Sequence, residues 1–189
     1  MASRSPQRLA LLEGLGLEVE VIVSGVEEVR EGDPLSLVEE NAKAKALAVR
    51  DKAAATGRPV IGGDTEVVVD GVVLGKPGDR EQAATMLERL SGREHTVAGG
   101  LCVLTPDASR EPLSGVELTT VEFRELSRDE IERYLDGSEW KGRAGGYAIQ
   151  GAGSALVKRV EGDLSNVIGL PLGLLARLAP ELLRATRQN

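Results

Sequence analysis

The stretch GGDTEVVVDGVVLGKP, Gly62 to Pro77, places Asp64 after two glycines, turns at Asp70-Gly71 and returns to Lys76. Valine-rich runs on either side of an Asp-Gly pair spell a β-hairpin. If the fold brings Asp64 and Lys76 to one cleft, a proton acceptor meets a cation suited to an anionic substrate. The plain alternative is two surface charges beside an ordinary turn. Lys45, in the helical run NAKAKALAV, carries the same two readings.

Three further stretches have chemical content. SRSPQRLALL, Ser3–Leu12, places hydroxyls and an arginine at a helix start, where unpaired N–H groups favour anions. Ser3, Ser5 and Arg8 are therefore candidate phosphate contacts, or else parts of a well-capped surface helix. GRAGGYAIQG, Gly142–Gly151, is dense in glycine and holds Tyr147 and Gln150. An amide that donates and accepts suits the edge of a nucleobase, although a flexible loop has the same composition. In GDLSNVIGLPL, Asp163 and Asn166 read as cap and turn residues.

Other chemistries lack their parts. His95 is the only histidine, which leaves a serine-type triad poorly supported, and one Cys with one His makes no zinc pattern. The phosphate signatures GxxxxGK[ST] and GxGxxG are absent. A net charge of −7 and 2% aromatic residues argue against nucleic acid as a partner. No apolar stretch is long enough to span a membrane. The lone Cys102 reads as a small buried apolar residue in a protein of the reducing cytoplasm.

The elements that must position these groups follow from capping and periodicity. Ser5 and Pro6 start a helix that ends at Gly14 or Gly16. LEVEVIVSG alternates as a strand. Asp33-Pro34 opens a helix expected to run to about Ala54, followed by a short strand PVIGGDT and the hairpin. Asp79 with Gln82 is a capping box for a helix to about Leu90, and Ser127 with Glu130 is another. HTVAGGLCVLT and GVELTTVEFREL are expected to pair antiparallel, SALVKRVEG adds a strand, and LPLGLLARLAPELLRA closes as a helix kinked near Pro180. The expected fold is α/β, with a mixed, partly antiparallel sheet and flanking helices, in one domain over residues 1–189.

Taken in order, ASRSPQRLALLEGLG, GVEE, AKALAV, GGDT, LGKP, LSGREHTV, RAGGYAIQG and GDLSNVIGLPL resemble the Maf family of nucleoside triphosphate pyrophosphatases. The resemblance implies an elongated sheet with a cleft between two lobes, related to the inosine triphosphate pyrophosphatases. It also implies hydrolysis between the α and β phosphates, a divalent metal (Mg²⁺ or Mn²⁺) and a homodimer. By resemblance Asp64 is the proton acceptor, and Ser3, Arg8, Glu28, Lys45 and Lys76 serve substrate or catalysis; as carboxylates among these, Glu28 and Asp64 are the candidate metal ligands. Thr65 and Gln150 match the subgroup that prefers dTTP and UTP, whereas Gln7 stands where that subgroup has an arginine. Arg143 keeps a cation in KGRAGGY, where Gly142 and Arg143 replace a frequent Asp-Lys. Alternatives are a 7-methyl-GTP or ITP/XTP pyrophosphatase, or a non-catalytic nucleotide-binding regulator of septation.

Overall fold

A computed structural model describes residues 1–29, 32–54 and 56–184. Helix α1 spans Pro6–Gly14, N-capped by Ser5. Helix α2, Pro34–Leu47, starts on the Asp33 carboxylate, which accepts the Ser36 N–H at 2.9 Å. A short helix α3 follows at Arg50–Ala54. The single helix expected across this region breaks at Ala48. There the Val49 N–H bonds the carbonyl of Ala46, three residues back, and the Val49 side chain turns into the core.

Strand β1, Val60–Val69, runs unbroken through GGDTE, so Asp64 lies in mid-strand and not at a strand end as the sequence suggests. Pairing with β3, Glu94–Leu104, continues past it and puts Asp64 opposite Gly100. The hairpin to β2, Val72–Leu74, closes on a two-residue turn with Asp70 at φ 51° and Gly71 at φ 72°. Helix α4, Arg80–Leu90, begins at Asp79, but the Gln82 amide oxygen accepts from Gly78, so the capping box is only half made. Strand β4, Leu113–Phe123, pairs antiparallel with β3, and helix α5, Arg128–Leu135, carries the full capping box of Ser127 and Glu130.

Two 3₁₀ turns, Ala144–Gly146 and Gly151–Leu156, precede strand β5, Val157–Glu161, which therefore starts later than expected. Helices α6 (Leu164–Ile168), α7 (Leu172–Leu178) and α8 (Pro180–Arg184) complete the described chain. The expected kink is a full break at Ala179, and the last residue of that expected helix, Ala185, lies outside the described residues.

Among the described residues the sheet has five strands, in the order β2-β1-β3-β4-β5. Every described pairing is antiparallel, where the sequence suggests a mixed sheet. The expected strand LEVEVIVSG does not form: its neighbour is the short Met1–Ala2 segment, bonded through Met1 O to the Ile22 N–H at 3.0 Å. Val21 and Val23 stay exposed, so alternation without a partner strand yields no ladder.

At one end of the sheet, Val60, Cys102 and Leu104 pack under α2, while Ile61, Leu101 and Val103 pack under α1 and α7. At the other end, Val69, Leu87, Phe123, Ile131 and Trp140 join α4 and α5. Among the described residues no helix is long and apolar enough to cross a membrane.

Candidate functional site

Helix α2 reaches the floor of the site because two glycines let it. A Cβ on Gly62 would lie 2.2 Å from the Ala42 carbonyl oxygen, and one on Gly100 would lie 1.9 Å from that of Val38. With no side chain at either position, α2 sits directly on β1 and β3. Its Asn41 and Lys45, one turn apart, then share the face that meets Asp64.

Asp64, 4% exposed, accepts from both. Lys45 Nζ is 2.7 Å from Asp64 Oδ1, and Asn41 Nδ2 is 3.0 Å from Oδ2. Asn41 also grips the Val29 backbone through its N–H and its carbonyl, at 2.8 and 2.9 Å. That grip draws the preceding Glu28 in, so that its Oε1 lies 2.5 Å from Lys45 Nζ. Burial pushes the Glu28 carboxyl up, but the Lys45 hydrogen bond and the charges of Lys45, Lys76 and Arg8 outweigh it and leave the group below its usual range.

On the opposite face of β1, Arg8 spreads its guanidinium over three partners. Nε donates to Gly169 O at 2.7 Å, Nη1 to Ser3 Oγ at 3.1 Å and Nη2 to Thr65 Oγ1 at 3.0 Å. The Thr65 hydroxyl in turn donates to Gly169 O at 3.3 Å. Ser5 Oγ caps the Arg8 N–H and donates to Gln7 Oε1 at 3.1 Å. Burial draws the Arg8 pKa down, against the nearby carboxylates of Asp64, Glu28 and Glu66.

These groups line one cleft of about 760 Å³, a volume typical of small-molecule sites. One wall is the segment Ala2–Arg8 with Ser24–Glu28, the other is Ser138–Gln150, and β1 lies between them. All the residues singled out from the sequence as substrate or catalytic groups face it: Ser3, Ser5, Gln7, Arg8, Glu28, Lys45, Asp64, Thr65, Lys76, Arg143 and Gln150. Lys76 is exposed and has no hydrogen-bond or ion-pair partner among the described residues. Its charge reaches both Glu28 and Glu66. Asp163 and Asn166 act as structure: Asp163 caps α6, and Asn166 Nδ2 pins that helix to Val97 O and Glu117 O.

Three contributors escape a residue-by-residue reading. Asn41 is found by its i, i+4 spacing from Lys45. Glu66 lies two residues beyond Asp64 and so shares its face of the strand. Its Oε2 is buried without a partner among the described residues, and burial with the charges of Asp64 and Glu28 raises its pKa to about 7. The Gly169 carbonyl, which anchors both Arg8 and Thr65, has no signal in side-chain chemistry at all.

The donor set suits a hard divalent cation. Glu28, Asp64 and Glu66 offer carboxylate oxygens, and the Glu66 Oε2 is an unsatisfied acceptor beside the other two. Among the described residues no group of three or more His, Cys, Asp or Glu side chains is placed to hold a metal ion by itself. Mg²⁺ commonly takes one or two carboxylates and completes its shell with phosphate and water.

The profile of the family described as "Maf-like protein" matches residues 1–182. This chain belongs to the Maf family. The Maf match spans both walls of the cleft and the sheet between them. The chain is 44% identical over 179 residues to a "dTTP/UTP pyrophosphatase" of Deinococcus radiodurans, covering 94% of this chain and 89% of that protein. It is 47% identical over 172 residues to one of Thermus thermophilus, covering 91% and 88%. A third, from Pyrococcus furiosus, is 42% identical over 180 residues, covering 94% and 92%.

Proposed function

We propose that this Maf protein is a nucleoside triphosphate pyrophosphatase that acts on dTTP and UTP, yielding the nucleoside monophosphate and pyrophosphate. One observation carries the reading: a buried Lys45 ammonium joins Asp64 to Glu28 at the floor of a cleft whose rim holds Lys76, which has no partner among the described residues. The names of the relatives support the substrate class.

The chemistry follows from the placement of the groups. Water attacks the α-phosphorus, the bond from that phosphorus to the bridging oxygen breaks, and pyrophosphate departs. Asp64 accepts the proton of the water, and Lys45 and Asn41 fix the orientation of its carboxylate. Lys76 and Arg143 offer positive charge to the triphosphate. Arg8 spends three of its nitrogens within the protein, so it acts chiefly by holding Ser3 and Thr65 in place. A divalent cation, Mg²⁺ or Mn²⁺, held by Glu28 and Asp64 with Glu66 beside them, would supply Lewis-acid charge to the phosphate oxygens. Gln150, Thr65 and Gln7, which line the same cleft, form the base-selective part. The same proposal includes a homodimer in the cytoplasm, the dimer being checked by sedimentation equilibrium.

The test is pyrophosphate release from dTTP, UTP, 7-methyl-GTP and ITP with Mg²⁺ or Mn²⁺, in the wild type and in Asp64→Asn. We expect dTTP and UTP to be preferred, and the variant to lose about 100-fold or more in turnover while keeping its circular dichroism. Near-wild-type turnover in Asp64→Asn would end the mechanism. Nucleotide binding without turnover in the wild type would favour a regulator instead.

A further inference from the structure

We propose that Glu139 is the positioning residue that sets Gln150 for reading the base. The proposal rests on the cleft being a nucleoside triphosphate site. Gln150 lines the cleft, is exposed, and its side chain has no hydrogen-bond partner among the described residues. A free amide of this kind selects a ligand edge only if its backbone is held still.

That backbone is held on both sides. Before Gln150, the Ala148 N–H donates to the Tyr134 hydroxyl at 3.0 Å. After it, the Glu139 carboxylate takes two successive backbone donors, the Ala152 N–H on Oε1 at 3.0 Å and the Gly153 N–H on Oε2 at 3.1 Å. The turn is wrapped so closely that a Cβ on Gly151 would lie 2.4 Å from Glu139 Oε1. Gly153 lies against the Ala148 carbonyl oxygen, where a Cβ would come within 1.9 Å. The loop thus closes on itself around Gln150, and Glu139 is its clasp.

Glu139 is fixed from behind by its neighbour. Trp140 is buried, and its indole N–H donates to Leu135 O and Gly137 O at 3.2 and 3.1 Å. The carboxylate is therefore tied to the end of α5, which packs on the core, and not to a free strand of loop. Charge-assisted bonds to two N–H groups are the strong kind.

The experiment compares wild type, Glu139→Gln, Glu139→Ala, Gln150→Ala and the Glu139→Ala/Gln150→Ala double variant. Each is assayed for pyrophosphate release from dTTP, dCTP and dGTP. Loss of bonds to a charged acceptor predicts that Glu139→Ala raises KM for dTTP about tenfold, with kcat within about twofold. Preference for dTTP falls in parallel, and Glu139→Gln, which keeps one acceptor, lies between. In the Gln150→Ala background, Glu139→Ala adds less than about twofold, because the group it positions is gone. A purely structural clasp would instead lower turnover on every nucleotide and add fully in the double variant, which overturns the proposal. Unchanged KM and preference in Glu139→Ala, or in Gln150→Ala, also overturns it. Should Glu139→Ala fail to fold, Glu139→Gln alone and combined with Gln150→Ala separates the same outcomes. A wild type with base-selective turnover alongside an equally selective Glu139→Ala sinks this inference alone, whereas a wild type without turnover sinks the functional reading with it.

Discussion

Lys45 Nζ lies 2.7 Å from Asp64 Oδ1, and the two side chains are 8% and 5% exposed. A buried pair of this kind is costly to break from one side, since the remaining charge is stranded. Asp64 keeps Asn41 as a second partner, and Lys45 keeps Glu28, so each charge has one further contact.

Lys45→Met tests that pair. The uncompensated Asp64 should destabilise the fold by about 3–5 kcal/mol and turnover should be lost. Adding Asp64→Leu should recover part of the stability and none of the activity, since the buried Asp64 charge is no longer stranded, while the partly exposed Glu28 still lacks its Lys45 partner. Urea unfolding and pyrophosphate release measure both. If the double variant is as unstable as the sum of the singles, the two charges do not act as a pair.

His95 gives a second expectation, in pH. It is 3% exposed, its Nε2 lies 2.8 Å from the Tyr147 hydroxyl, and its ring meets Phe123 edge-on. Burial lowers its pKa from 6.5 to about 4. Between those values the unfolded chain holds a proton that the folded chain does not. The contribution of His95 to stability is thus complete above about pH 6.5 and is lost as pH falls toward 4, an amount of roughly 3 kcal/mol at most. Because it is the only histidine, its ring resonances can be followed without ambiguity. They should not titrate above about pH 5, and a midpoint near 6.5 would contradict the burial.

The helix starts are legible because each is written in adjacent residues: Ser5-Pro6, Asp33-Pro34, Asp79 and Ser127 all cap where expected. The hairpin turn is equally local. The features that depart from expectation depend on distant partners. LEVEVIVSG has the period of a strand but meets only the two residues Met1–Ala2, too short for a ladder, while the break after α2 follows the core's hold on Val49. The site divides in the same way. Asp64, Lys45 and Lys76 stand in recognisable motifs, but Glu66 and Glu139 become visible only when strand face and loop closure are known. Glycine in a strand hints at the close packing of α2 on Gly62 and Gly100, yet how near the helix comes is set by contacts far apart in the chain.

Glu66 carries the last prediction, and its sign is opposite to that of His95. Burial, with the charges of Asp64 and Glu28, raises its pKa from 4.5 to about 7, against the opposing charges of Lys76 and Lys45. The folded chain therefore keeps a proton over that interval which the unfolded chain has released. The resulting stability is complete below about pH 4.5 and is lost as pH rises through about 7. The upper bound is roughly 3 kcal/mol, reduced by the partial exposure of the side chain. In wild type this loss runs against the gain from His95 between pH 5 and 6.5, so the net slope there is shallow and single variants are needed to separate the two. Glu66→Gln keeps a neutral side chain at every pH. Measured by urea unfolding in EDTA and without nucleotide, it should match wild type near pH 5 and exceed it increasingly toward pH 8. Parallel curves for the two proteins would mean that the buried Glu66 oxygen is not strained by its neighbours' charge.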